Sequence, residues 1–291
     1  MTHVTATHDL VRLLDGTFHE DLAFPAGIKV TILGGATEVI GVNASVMINA
    51  AENSNITLRN GKYTATTPNM APPQHTFLCL ATAAQPTSLT FQGVTTSGGI
   101  LSTSNNCKLS LQRSKFFGDI QGENGGSVAM DQSTLAGGLT FLSDVNNLQL
   151  DIKNSLFSYG IQFPGSGIVS GTVAFSTFVM QQYAFCSGHV LFENNIFFST
   201  NSLGVGYAVA HSGTCTSTFD HNLEYPQDVP VGTNVVIGDP KLKDVPGNDF
   251  HLLINSAAID AADPAATDAY DFDGTTRPQG SGRDIGAFEY H

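Results

Sequence analysis

A short pattern of apolar and polar positions returns along this chain. It runs apolar, any residue, apolar, two or three mostly polar residues including Ser, Asn or Gly, then apolar or aromatic. The copies are ITLRNGKY from Ile56, LTFQGVT from Leu89, LSLQRSKF from Leu109, VAMDQSTL from Val128, LDIKNSLF from Leu150, VLFENNIF from Val190 and STFDHNLE from Ser217, with VAFSTF from Val173 a shortened one. Alternation with a period of two predicts strands. Successive copies begin 33, 20, 19, 22, 23, 17 and 27 residues apart, too irregular for leucine-rich or propeller repeats. Such spacing suits coils of a parallel β-helix, stacked about 4.8 Å apart and carrying loops of different lengths. The longest interval holds TATTPNMAPPQHT, read as an excursion loop.

In such a stack Leu58, Phe91, Leu111, Met130, Ile152, Phe192 and Phe219 form one inward column. The residue before the final apolar position is Ser114, Ser133, Ser155, Asn195 or Asn222 in five copies. Small polar residues at a sharp bend tolerate left-handed backbone and bond to neighbouring coils. A β-sandwich would also show short strands and frequent turns, but the fixed register of the bend residue favours the coil. Because open coil ends expose strand edges, both need covering. THDLVRLL reads as a short amphipathic helix near residues 7 to 14 with Thr7 as its N-cap, followed by a turn and first strands in GTFHEDLAFPAGIKVTI. The repeats stop near Tyr225, where an acidic, Pro-containing tail begins.

Composition agrees with strands and turns. Charged residues are 13% of 291, against roughly 25% in an average soluble domain. The net charge of −13 repels a polyanion at long range, so a nucleic-acid partner is not expected. No apolar stretch is long enough to span a membrane. The start, MTHVTATHDL, lacks the basic and apolar regions of a secretory signal. The chain is therefore either cytoplasmic or exported with a leader outside this sequence, and the second is expected. Four cysteines without CxxC spacing argue against a zinc site and are compatible with an oxidising compartment. Cys186 and Cys215 are 29 residues apart, close to the local coil spacing, which predicts neighbouring positions for them.

The tail from Gly238 to His291 resembles the C-terminal signature of bacterial right-handed parallel β-helix repeat proteins of the pectate-lyase-like superfamily. The matching segments are Asp239 and Pro240, Asp249 to Leu252, Ser256 to Asp260, Asp271 to Pro278 (D-x-D-G-x-x-R-P) and Asp284 to Glu289 (D-I-G-A-x-E). The resemblance implies an all-β, single-stranded right-handed parallel β-helix (a solenoid), export to the cell surface or outside the cell, and association with polysaccharides. Chemistry does not transfer with fold. The expected organisation is an N-terminal helical cap over 1–25, the β-helix over 26–235 and a capping tail over 236–291.

Candidate chemistry is sparse. Asp271, Asp273 and Gly274 suggest a calcium loop, but the spacing fails the EF-hand pattern, and pairing of Asp271 or Asp273 with Arg277 or Arg283 is the plainer reading. The outward column Arg59, Gln92, Gln112, Asp131, Lys153, Glu193 and Asp220 reads as a solvated ladder of mixed sign. Glu123 and Asp144, five and six residues before their motif copies, are the candidate catalytic pair. One coil spacing is near the roughly 5 Å between the carboxyls of a retaining glycosidase, although most acidic residues simply occupy surface loops. A lyase base would have to come from Lys115, Lys153 or Arg113, and His189, His211 and His221 lack metal-ligand spacing. The function expected is a polysaccharide-interacting protein, either a lyase or glycoside hydrolase with calcium as the one conceivable cofactor, or a noncatalytic surface, adhesion or glycan-binding protein.

Overall fold

The computed structural model describes residues 9–42, 47–65, 75–82, 84–98, 100–103, 106–122, 125–141, 147–162, 169–180, 189–199, 216–226 and 230–291. Among these the regular structure is all strand, with no helix. The chain passes through three parallel sheets in turn and returns to each one place further along. Among the described residues, the first sheet has ten strands from Asp9–Arg12 to Thr218–Asp220. The second has eleven from Gly16–His19 to Val236–Ile237, and the third has seven from Leu22–Phe24 to Ile161–Gln162. This order is consistent with a β-helix, and each pass is called a coil below.

Parallel register aligns like with like. Ile32, Leu58, Phe91, Leu111, Met130, Ile152, Val173, Phe192 and Phe219 occupy successive rungs of the first sheet. All are buried, and the shortened copy contributes Val173. In the second sheet Phe116, Leu135, Phe157, Phe178 and Phe197 form a parallel column. Phe157 stacks on Phe178 at 4.6 Å and Phe178 on Phe197 at 5.0 Å. Each such side chain contributes about 1.5–3 kcal/mol on burial.

The turn from first to second sheet has a fixed form. Asn60, Gly93, Arg113, Gln132, Asn154, Phe175, Asn194 and His221 occupy one position in successive coils, with φ between 45° and 62°. The next residue points inward and bridges coils. Ser114 Oγ accepts the Val94 N–H at 3.2 Å, Ser133 Oγ that of Ser114 at 3.1 Å, and Ser155 Oγ that of Ser133 at 3.3 Å. The chain of bonds continues through Ser176, Asn195 and Asn222. The predicted Ser and Asn positions therefore do bond to neighbouring coils, but the left-handed residue is the one before. The residue after the bend is Ser or Asn from Ser114 to Asn222, with Gly61 and Val94 in the two coils before.

The predicted helix near residues 7 to 14 is not formed in its described part. Asp9–Arg12 is a strand paired in parallel with Lys29–Leu33, which sets Val11 beside Ile32; residues 1–8 lie outside the described residues. An isolated eight-residue helix is marginal in water, and a ready-made sheet edge satisfies the same backbone groups. Cys79, ending the strand His75–Cys79, is joined to Cys107, which starts Cys107–Gln112, with Cα atoms 6.0 Å apart. Cys186 and Cys215 lie outside the described residues.

The tail has one antiparallel hairpin, Leu242–Asp244 with Asp249–Leu252, and packs along the side of the later coils. Its anchor is Arg277, whose ion pair with Glu289 at 2.7 Å is inaccessible on both sides. The guanidinium also donates to the carbonyls of Asp284 and Gly286 and lies 4.6 Å from the centre of the Phe175 ring. The expected partner, Asp271 or Asp273, is thus replaced by Glu289. Asp271 is instead occupied by the N–H groups of Asp273, Thr275 and Glu289, while Arg283 donates to the Asp268 carbonyl.

Two stability effects follow. Ser133→Ala should cost about 1–3 kcal/mol in urea unfolding, because it strands the buried Ser114 N–H; an unchanged midpoint would mean that water replaces the hydroxyl. Arg277→Ala should cost about 3–5 kcal/mol by leaving Glu289 buried and unpaired, whereas Arg277→Met with Glu289→Leu should recover most of that loss.

Candidate functional site

The outward residues just before the bend stay in register from coil to coil: Arg59, Gln92, Gln112, Asp131, Lys153, Ala174, Glu193, Asp220. In the first three coils of this series they are tied edge to edge. Arg59 Nε donates to Gln92 Oε1 at 2.6 Å, and Gln92 Nε2 to Gln112 Oε1 at 2.7 Å. The bend residues form a second row beside them, where Arg113 Nε donates to Gln132 Oε1 at 2.9 Å.

Gly93 interrupts that second row. Every other bend residue from Asn60 to His221 carries a side chain, so the missing one leaves an open groove of about 460 Å³. Its walls are Arg59, Asn60, Gln92, Gln112, Arg113, Asp131 and Gln132. Here an acidic protein presents two arginines against one carboxylate, surrounded by amides. The ladder read from sequence as solvated is exposed here and also forms a wall of this groove, and the signal for the groove was a glycine among Asn, Arg and Gln.

Beyond Gln132 the tail covers the same rows. Asn154, Phe175 and Asn194 are buried, Asn194 Oδ1 accepts the Asp263 N–H at 2.7 Å, and Lys153 faces Asp268 at 3.9 Å. Asp220, His221 and Asp263 bring ligand atoms within 4.8 Å of one another. Sequence spacing could not show this, since Asp263 arrives from the tail. Burial raises the Glu193 carboxyl above its ordinary range, and Asp263, Asp268 and Asp220 add to the rise. Asp220 already accepts from Thr233 and Asn234, and an imidazole is not among the hard oxygen ligands calcium prefers. Asp271 and Asp273, the sequence candidates for calcium, are occupied by backbone N–H groups and by His251 respectively.

A second cavity, of about 330 Å³, lies between the second sheet and the tail hairpin, with Lys115, Phe117, Phe250 and His251 among its walls. His251 bonds Asp249 through Nδ1 and Asp273 through Nε2, the latter at 2.8 Å. Burial lowers its pKa, but those two bonds outweigh it and the net shift is upward. The bridge fastens the hairpin to the loop at Asp273. Glu123 and Asp144 both lie outside the described residues, as does His211. Gly122 and Phe141, the described residues that precede the pair in the sequence, are partners on adjacent third-sheet strands.

Glu224 has no counterpart in the sequence reading. It takes the rung after Phe197 in the inward column of the second sheet, fully buried, with Oε2 accepting the Val231 N–H at 3.1 Å and Oε1 unpaired. Burial pushes its carboxyl up to about 7, a rise that the Val231 bond moderates. No protein-family profile matches this chain, and a search of curated proteins finds none significantly similar to it.

The Glu224 carboxyl binds its proton more tightly folded than unfolded, where its pKa is near 4.5. Its contribution to stability is therefore fully present below about 4.5 and is lost as pH rises through about 7. At about 1.4 kcal/mol per unit, the loss is on the order of 3 kcal/mol. Asp284, raised to about 6 mainly by burial, acts in the same sense. Chemical denaturation at pH 5 and pH 8 should show a smaller decline for Glu224→Gln than for the unaltered protein; equal declines would locate the proton elsewhere.

Proposed function

We propose that this chain is a secreted or surface-located, right-handed parallel β-helix protein that binds a polysaccharide or oligosaccharide in the groove at Gly93. The single observation behind this reading is a polar, preorganised groove whose walls repeat with the coil spacing. Sugar hydroxyls are matched by planar amide and guanidinium groups already held in place by mutual hydrogen bonds, which reduces the ordering cost of binding. Right-handedness is favoured because parallel crossover connections take that hand in nearly all cases. The buried Cys79–Cys107 disulfide supports an oxidising location outside the cytoplasm.

A catalytic version of this reading starts from the pairing of Gly122 with Phe141, the described residues that precede Glu123 and Asp144 in the sequence. If the two act as acid and nucleophile on a glycosidic bond, Glu123→Gln and Asp144→Asn each abolish turnover of a substrate found by panel screening. Full rates in both variants reject the pair and leave a noncatalytic glycan-binding protein.

The groove itself is tested at Gly93. Asn is tolerated at positive φ, and a Cβ added there comes within 4 Å only of the end of the Asn60 side chain, whose Oδ1 lies 2.7 Å away and must turn aside. Gly93→Asn should fill the gap, weaken glycan binding at least tenfold by calorimetry and leave the melting temperature nearly unchanged. Retained affinity in a folded variant would move the binding site elsewhere.

A further inference from the structure

The groove has a wall at one end. Its lining stops at Asp131 and Gln132, although the rows that form it continue for several coils. Gln132 Nε2 donates to the Asp271 carbonyl at 2.8 Å, and a side chain added at Gly274 would meet the same amide at 3.7 Å. The loop from Asp271 to Gly274 therefore stands directly on the last open rung. It is held rigidly: Asp271 accepts three N–H bonds, Gly274 N–H closes the turn onto the Asp271 carbonyl, and His251 clamps Asp273. One coil further, Asn154 is buried beneath Arg277. In the other direction the rows pass to Leu33, which pairs with Arg59, and to Gly34, which again presents no side chain.

On this geometry we infer that the site takes the end of a glycan chain rather than its middle, with the Asp271–Gly274 loop as the stop. The inference rests on the glycan reading above. A chain lying along the ladder can occupy the open coils from Arg59 to Asp131, about 14 Å at three coil spacings, and cannot continue past Gln132. Its remaining length runs out over Gly34. The two arginines against Asp131 make an acidic chain the first probe and a neutral one its comparison.

Calorimetric titration would compare tetragalacturonate with polygalacturonate, and maltotetraose with amylose. End recognition gives one protein per chain in the series that binds, with dissociation constants per mole of chain agreeing within about threefold between short and long forms. Expressed per sugar unit, the polymer is then weaker in proportion to its length. Several proteins per polymer chain, with constant affinity per sugar unit, would overturn end recognition and leave glycan binding standing. Absence of binding in both series would reject the glycan reading and this inference with it. Arg113→Ala, at an exposed side chain, serves as the control: at least tenfold weaker binding to the tetramer with an unchanged melting temperature assigns the signal to this groove, and unaltered binding would refute the placement.

Discussion

The stack from Asn60 to His221 depends on turning the chain from the first sheet into the second within two residues, coil after coil. That turn requires a left-handed backbone, which for residues other than glycine costs roughly 1–2 kcal/mol and persists only where the surroundings hold it. The surroundings here are the inward Ser and Asn groups, each accepting the N–H of its counterpart in the preceding coil. Because the ladder fixes the vertical register, Phe157, Phe178 and Phe197 stack face to face. The same register aligns Arg59, Gln92 and Gln112 closely enough to bond side by side on the outside. Core and groove are two faces of one constraint.

The tail uses this regular surface as a docking platform. Arg277 reaches Phe175 and Asn154 on successive bends, and Gly286 N–H donates to the Asn194 carbonyl. A buried ion pair contributes little beyond its desolvation cost unless further bonds satisfy it. Arg277 has those bonds, so the pair specifies where the tail sits as well as holding it there. The acidic residues of the tail are spent mostly on backbone N–H groups, as at Asp271 and Asp284. That use accounts for Asp271 accepting three backbone N–H bonds where the sequence suggested a pairing with Arg277 or Arg283.

How much of this was legible in the sequence varied with the range of the interaction. The inward column from Leu58 to Phe219 could be read because stacking makes equivalent positions chemically alike, and the Ser and Asn rung could be read for the same reason. The left-handed position beside it was displaced by one, since a row that runs from Asn60 through Gly93, Arg113 and Gln132 to Phe175 has no single side-chain type to mark it, only a common backbone angle. The helix near Leu10 was misread because amphipathic spacing is local whereas the strand pairing to Lys29–Leu33 is not. Arg277 was one of two arginines expected to pair with Asp271 or Asp273, but its partner Glu289 lay in a different part of the signature from those nearer aspartates. Glu224 sat inside a motif copy, in STFDHNLE, yet its burial depends on closure of the last coils by Val231.

The groove was legible only in its walls. Its existence depends on Gly93 being the one bend residue without a side chain between Asn60 and His221, and its extent depends on where the tail comes to rest. The bend position faces outward, so its identity is free to vary without disturbing the core beneath. From Ser114 onward the inward neighbour has less freedom, since each Ser or Asn accepts a backbone N–H of the coil before it. A coil can therefore gain or lose a cavity by changing a single outward residue while the hydrogen-bonded ladder stays intact. Docking of the tail adds the second element, for the Asp271 loop turns a surface that repeats along the whole stack into a site with a defined end. Position and direction, which a repetitive scaffold cannot supply by itself, come from one missing side chain and one non-repeating segment.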